Sequence, residues 1–305
     1  MSRRDERSAP PRRGLFAGAA RPPMDSMPRI RTAFARGLLG MWASPLVVGA
    51  TVGWIVLEWF VILALGYPGP FSMLGHVSAL PPLSTITDIT ISTGILGIRI
   101  GLLFTIAVGV VHALWLAVLT GWAVETIETG TATRWGAVRG LRAFPVTVAL
   151  HVIGVAALFI SQFVVSIGGP GLSLFLQIGV LVVVLWVLAF APVIAVAEGR
   201  RLTDCLGRSV RAARLPGSGN VTFATLYVIP VFATLVAGVP GSKLDVSPPP
   251  SAWVFVILAN LFHAAMLAAY AMRYLAVAGE VPDAPVRTPP SRDRSSRDRR
   301  PARRR

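Results

Sequence analysis

Between Phe144 and Ala197 the chain carries no Asp, Glu, Lys or Arg. Roughly 20 apolar residues in an α-helix cross the hydrocarbon core of a bilayer, so this one stretch is long enough to cross twice. Similar uncharged runs occupy Gly37 to Val56, Ile100 to Val124, Leu215 to Ser242 and Val246 to Met272. With 54% hydrophobic residues, 14% charged residues and a mean hydropathy of +0.66, the solvent this composition demands is lipid.

Six spanning helices are predicted, at about Trp42 to Leu65, Gly101 to Val124, Phe144 to Val165, Leu174 to Val196, Val221 to Val239 and Ala252 to Leu275. Gly66, Pro68, Gly69 and Pro70 end the first, and Gly168 to Gly171 makes a tight turn between the third and fourth. Pro192 and Pro230 are expected to kink the fourth and fifth. Residues 1–27 and 277–305, rich in Arg, Pro and Ser with no apolar run, read as disordered basic tails around a transmembrane domain at 28–276.

The net charge of +15 would suggest nucleic acid in a soluble protein, but its placement follows membrane topology instead. Nine Arg precede the first span and Arg134, Arg139 and Arg142 follow the second. Five lie between the fourth and fifth, and ten run from Arg273 onward. The loops on the other side hold only Arg99 and Lys243. The rule that basic loops stay inside places both termini in the cytoplasm and the protein in a bacterial inner membrane. Lys243 is the one lysine among 29 basic residues, a bias expected of a GC-rich bacterial genome. The single Cys205 excludes an intrachain disulfide and falls in a cytoplasmic loop.

Three short basic segments recur before the odd-numbered spans. Arg31 to Leu39 reads RTAFARGLL, Arg134 to Arg142 reads RWGAVRGLR, and Thr203 to Arg211 reads TDCLGRSVR. Arg36-Gly37-Leu38, Arg139-Gly140-Leu141 and Arg208-Ser209-Val210 then align, which predicts three copies of one unit: a basic amphipathic helix followed by a helical hairpin. Projected at 100° per residue, Leu202, Cys205, Leu206, Ser209, Val210 and Ala213 share one face, and Arg200, Arg201, Asp204, Arg208, Arg211 and Arg214 share the other. Ile30, Phe34, Gly37, Leu38 and Met41 form the corresponding apolar face of the first copy. In the second, Arg134 interrupts the arc, and Trp135 is spaced to stack on Arg139. Such helices are suited to the inner interface, with Arg134, Arg139, Arg142, Arg200, Arg201, Arg208, Arg211 and Arg214 offered to anionic lipid or to a protein partner. Alternatively, these arginines only fix topology.

The run FAPVIAVAEGRRLTDCLGRSVRAARL, Phe190 to Leu215, joins a helix ending in Pro192 and the pair Glu198-Gly199 to a basic helix containing Arg208-Ser209; Glu128, Gly130 and Arg139 make a similar set. In this it resembles bacterial membrane proteins related to the membrane domain of glycerophosphoryl diester phosphodiesterases. The resemblance implies a multi-pass membrane domain. It implies no phosphodiesterase activity, because no soluble segment is long enough for the hydrolase and no His-Arg with Glu-rich metal site is visible.

Polar groups within the spans are the remaining candidates, since a charge at mid-bilayer costs at least about 2.5 kcal/mol. Glu58 and Arg99 fall at the outer ends of the first and second spans and are expected to pair; a protonatable Glu58 is the other reading. His112 and His263 lie at similar mid-membrane depth, a geometry open to haem or metal ligation, although helix-bonded histidines are commoner; His151 lies nearer the cytoplasm. Gln162 and Gln177 suit hydrogen bonds between helices, and Gly94, Gly97 and Gly101 suit close helix packing. No Walker A, HExxH, GxSxG or CxxC motif occurs, so no catalytic residue, metal or cofactor is assigned. The expected role is a non-enzymatic envelope component that organises anionic lipid or a partner protein. A small transporter comes second and a membrane-embedded enzyme third.

Overall fold

A computed structural model describes residues 27–64, 98–167, 170–215, 219–227, 250–279 and 281. All regular structure among them is α-helical. In chain order the helices are α1 (Ile30–Trp42), α2 (Pro45–Ala64), α3 (Ile98–Thr129), α4 (Arg134–Arg142), α5 (Phe144–Ile167), α6 (Pro170–Leu188), α7 (Ala191–Glu198), α8 (Leu202–Ala213) and α9 (Pro250–Val277), with a further helical stretch at 220–227. Most of the predicted tails, the loop after the first span, Gly94, Gly97, Pro230 and the fifth span beyond 227 lie outside the described residues, but Met27, Val277 and Val281, expected in the tails, are buried against the bundle. The side chains of Glu58, Arg99, Gln162 and Gln177 lie outside them too, although the backbone is helical at each.

Among the described residues two segments, Val110–Thr129 and Ile178–Glu198, are long and apolar enough to cross a membrane, and up to four are if each of two bent helix pairs counts as one span. The bends measure 77° between α1 and α2 and 65° between α4 and α5. Large apolar side chains such as Leu57, Val111, Phe175, Val183 and Val254 point outward from the long helices, as lipid and not water favours. The expected fourth span is broken at Ala189 and Phe190. Pro192 then sits in the first turn of α7, where its missing N–H removes no helical hydrogen bond.

The short basic helices do not stand apart from the bundle. Each folds back along the long helix that runs in toward the basic end. On α4, Gly136 and Gly140 press against α3 so closely that a Cβ at Gly140 would lie 2.1 Å from the Ala117 carbonyl oxygen. Thr133 caps α4 by accepting from the Trp135 amide. On α1, Ala33, Gly37 and Met41 are buried, and a Cβ at Gly37 would lie 2.6 Å from the Ala265 oxygen of α9. Further along the same contact, Phe34 meets Phe262 at 5.9 Å between ring centroids, and Trp42 Nε1 donates to the Leu261 carbonyl at 3.1 Å. On α8, Ser209 Oγ donates to the Val187 carbonyl of α6 at 2.6 Å, and Trp186 Nε1 donates to the Ala213 carbonyl at 3.3 Å. Small residues at these positions let backbones approach closely, which matters where lipid offers no hydrophobic drive for helices to associate.

Candidate functional site at the arginine-bearing helix ends

Glu198-Gly199 ends α7, and Glu128-Thr129-Gly130 ends α3. Gly199 takes a left-handed conformation at φ 66°, capping α7, and Gly130 has φ 87° just past α3. The carboxylates preceding them, Glu198 and Glu128, each receive an arginine from the return helix that follows.

At the first knot, Arg139 grips Glu128 with two nitrogens, at 2.5 and 3.2 Å. Its remaining hydrogen bonds go to the carbonyls of Val196 at 3.1 Å and Ala197 at 3.0 Å, in the last turn of α7. One guanidinium therefore ties α3 and α4 to α7 and neutralises the partial negative charge of a helix C-terminus. Beside it, Glu125 accepts from the Thr133 amide at 2.7 Å and the Thr133 hydroxyl at 2.6 Å. Together these bonds fix the turn between α3 and α4.

The second knot repeats this design with deeper burial. Arg208 is only 6% exposed. Its Nε donates to Glu198 Oε1 at 3.1 Å and to the Tyr274 hydroxyl at 2.7 Å. Its terminal nitrogens donate to the carbonyls of Val281 at 2.8 Å and Ala278 at 2.5 Å, just beyond α9. Tyr274 in turn donates its hydroxyl to Glu198, whose other oxygen accepts from Arg200 Nε at 2.5 Å. Burial disfavours the charge on Arg208, but the Tyr274 hydrogen bond and the Glu198 charge outweigh it, so the pKa of Arg208 is raised. On the same helix, burial, reinforced by the charges of Asp204 and Glu198, pushes the Cys205 thiol up to about 11.

The helical projection put Arg208 on the outward polar face of α8, and the structure reverses this. Arg208 shares the buried face with Cys205, Ser209, Ala212 and Ala213. A projection ranks side chains by polarity, and it carries no account of a carboxylate and a phenol waiting on the neighbouring helices. The expected Trp135–Arg139 stack is likewise replaced: Arg139 turns to Glu128, and Arg134 lies over the Trp135 ring at 5.1 Å. Of the other predicted arginines, Arg134, Arg142, Arg201 and Arg214 are exposed, while Arg200 and Arg211 are half-buried. Arg214 covers the Trp186 ring at 5.8 Å.

His263 is taken up by a hydrogen bond of 2.5 Å between its Nδ1 and the Tyr227 hydroxyl, and His112 interacts electrostatically with His151. Among the described residues no group of three His, Cys, Asp or Glu is placed to hold a metal ion. Sequence reasoning also missed Arg273, which is buried in α9. It donates to Asn220 Oδ1 at 2.9 Å and to the Pro28 carbonyl at 2.6 Å, and it lies over the Phe223 ring at 5.3 Å. Its position inside an otherwise apolar run, ILANLFHAAMLAAYAMRYLAV, was the available signal.

Compared with models of protein families, with curated proteins and with solved structures, the chain matches none.

Proposed function

We propose that this protein is a non-enzymatic membrane component whose basic end gathers anionic lipid. The observation that carries the reading is the outer face of α4. Trp135 is 62% exposed and Leu141 43% exposed, with Val138 between them and Arg134 and Arg142 at the two ends, while Gly136 and Gly140 are spent on α3. Aromatic and aliphatic groups interleaved with guanidinium groups match the boundary between acyl chains and phosphates. Exposed Arg201 and Arg214 on the flanks of α8 add to the same field, at about 1 kcal/mol for each basic residue near an anionic leaflet.

The reading carries with it six spans in three hairpins, each introduced by a return helix. The shared contacts of Gly37, Gly140 and Ser209 with Ala265, Ala117 and Val187 support that arrangement. The likeness to membrane domains of glycerophosphoryl diester phosphodiesterases, an inner-membrane location and a cytoplasmic basic end belong to the same proposal.

The test is the lipid retained by protein extracted in polymer-bounded discs of native membrane. Wild type is expected to be enriched in phosphatidylglycerol over the bulk membrane, and the combined variant R134Q/R142Q/R201Q/R214Q to lose most of that enrichment. The same phosphatidylglycerol content in both would overturn the reading.

A further inference from the structure

The three return helices are alike in their packing but not in their charge. Eleven residues beyond Ala117, the residue under Gly140, stands Glu128, and eleven beyond Val187, the residue under Ser209, stands Glu198. Eleven beyond Ala265, the residue under Gly37, stands Ala276. The arginine immediately before each contact residue is Arg139, Arg208 and Arg36. The first two hold their carboxylates. Arg36 is exposed on α1, and Ala276 is exposed near the end of α9, the helix on which α1 docks. The α1–α9 contact thus has the backbone fit of the other two, with an arginine supplied and an alanine at the position of the carboxylate.

We propose that the phosphate of an anionic lipid takes the place of that missing carboxylate, making the α1–α9 seam a discrete lipid site with Arg36 as its anchor. A phosphodiester offers a guanidinium the same pair of oxygens that Glu128 offers Arg139, so two parallel hydrogen bonds are available to either acceptor. Leu39 and Trp42, exposed on the same helix about one and two turns beyond Arg36, supply an aliphatic contact for the acyl chains and an amphipathic ring. The exposure of Ala276 leaves room for a headgroup where a glutamate would otherwise reach. This site rests on the lipid-gathering role proposed above. It differs in being a single stoichiometric position, whereas that role concerns enrichment of the whole annulus.

Native mass spectrometry of the full chain, delipidated in mild detergent and titrated with dioleoyl phosphatidylglycerol, tests the site. Wild type is expected to retain one lipid at collision energies that strip the rest. Arg36→Gln should lose it. Ala276→Glu, which restores the carboxylate, should also lose it while raising the thermal midpoint, because the internal pair then competes with the ligand. Inorganic phosphate should not displace the lipid, and if it does the site is one for a free anion.

Retention by both variants would overturn the site, as would loss by Arg36→Gln with retention by Ala276→Glu. Glu280, the next carboxylate after Ala276 in the sequence, supplies the control. If Glu280→Gln lowers the thermal midpoint as much as Arg36→Gln does, Arg36 has an internal partner and the site falls. Enrichment of phosphatidylglycerol in the annulus without a resistant lipid would refute this site alone. Absence of both refutes the broader reading as well.

Discussion

Arg208 Nε lies 3.1 Å from Glu198 Oε1 at the junction where α7 ends, α8 begins and the chain leaves α9. Every one of its nitrogens has a protein acceptor: Glu198 and Tyr274 for Nε, and the Val281 and Ala278 carbonyls for the other two. An arginine so fully engaged is a structural rivet, and it is unsuited to recruiting lipid.

Removing one partner of a buried pair leaves an uncompensated charge, at a cost of about 3–5 kcal/mol. Arg208→Gln and Glu198→Gln are each expected to lower stability by an amount of that order, and the double variant by much less than the sum. Arg139→Gln should cost less, about 1–2 kcal/mol, because its pair with Glu128 keeps about 30% exposure on both sides. Unfolding of the detergent-solubilised protein, followed through tryptophan fluorescence, gives the ranking. Equal losses at Arg139 and Arg208 would contradict the difference in burial.

Glycines sort by what stands next to them. Gly140→Ala places a Cβ 2.1 Å from the Ala117 oxygen and forces α4 away from α3, at about 1–3 kcal/mol. Gly53→Ala on α2 meets nothing within 4 Å and should be neutral or stabilising, by up to about 1 kcal/mol. A pair of thermal melts distinguishes them, and a reversed order would refute the close α3–α4 contact.

Gly199 also has open space around its Cβ position, yet its φ of 66° favours residues without a side chain. Gly199→Ala is expected to cost about 1 kcal/mol through backbone strain alone. Gly199→Asn, a residue that tolerates the left-handed region, should recover part of it. Melting temperatures of the two variants falling in the opposite order would rule out strain as the cause.

Cys205 gives a pH dependence of known sign. Its thiol has a folded pKa of about 11 against an ordinary value of 9.0. The contribution of the buried neutral thiol is therefore intact below pH 9 and is lost as pH rises through the folded value. The stability difference between wild type and Cys205→Ala should shrink over that interval and stay flat between pH 6 and 8. The folded protein should also resist maleimide at pH 7. Rapid labelling under native conditions would show the thiol to be accessible.

How far the sequence reached depended on range. Uncharged runs and glycine punctuation placed α2, α3, α5 and α9 within a few residues, because helix length in lipid is set by local hydropathy. The three short basic helices were also visible, from the recurring Arg-Gly or Arg-Ser pairs. The projection found the buried Cys205, Ser209 and Ala213 of α8, but that the helix also buries Arg208 was not visible. Tyr274 is 66 positions from Arg208, and nothing local to LTDCLGRSVRAA distinguishes a riveted arginine from a solvated one. The break at Phe190 was legible only in part: Pro192 announced a disturbance, but not that the helix would stop at Leu188 and restart at Ala191.

The docking of α1 on α9 also fixes an order of events during synthesis. Among the described helices α1 is made first and α9 last, so the face of Ala33, Gly37 and Met41 has no partner until everything between has been threaded. The Arg273 hydrogen bond to the Pro28 carbonyl closes that same gap between early and late chain. Until α9 arrives, the nascent protein holds α1 with this face uncovered. That interval is when a chaperone, or misassembly with a second chain, has its opening.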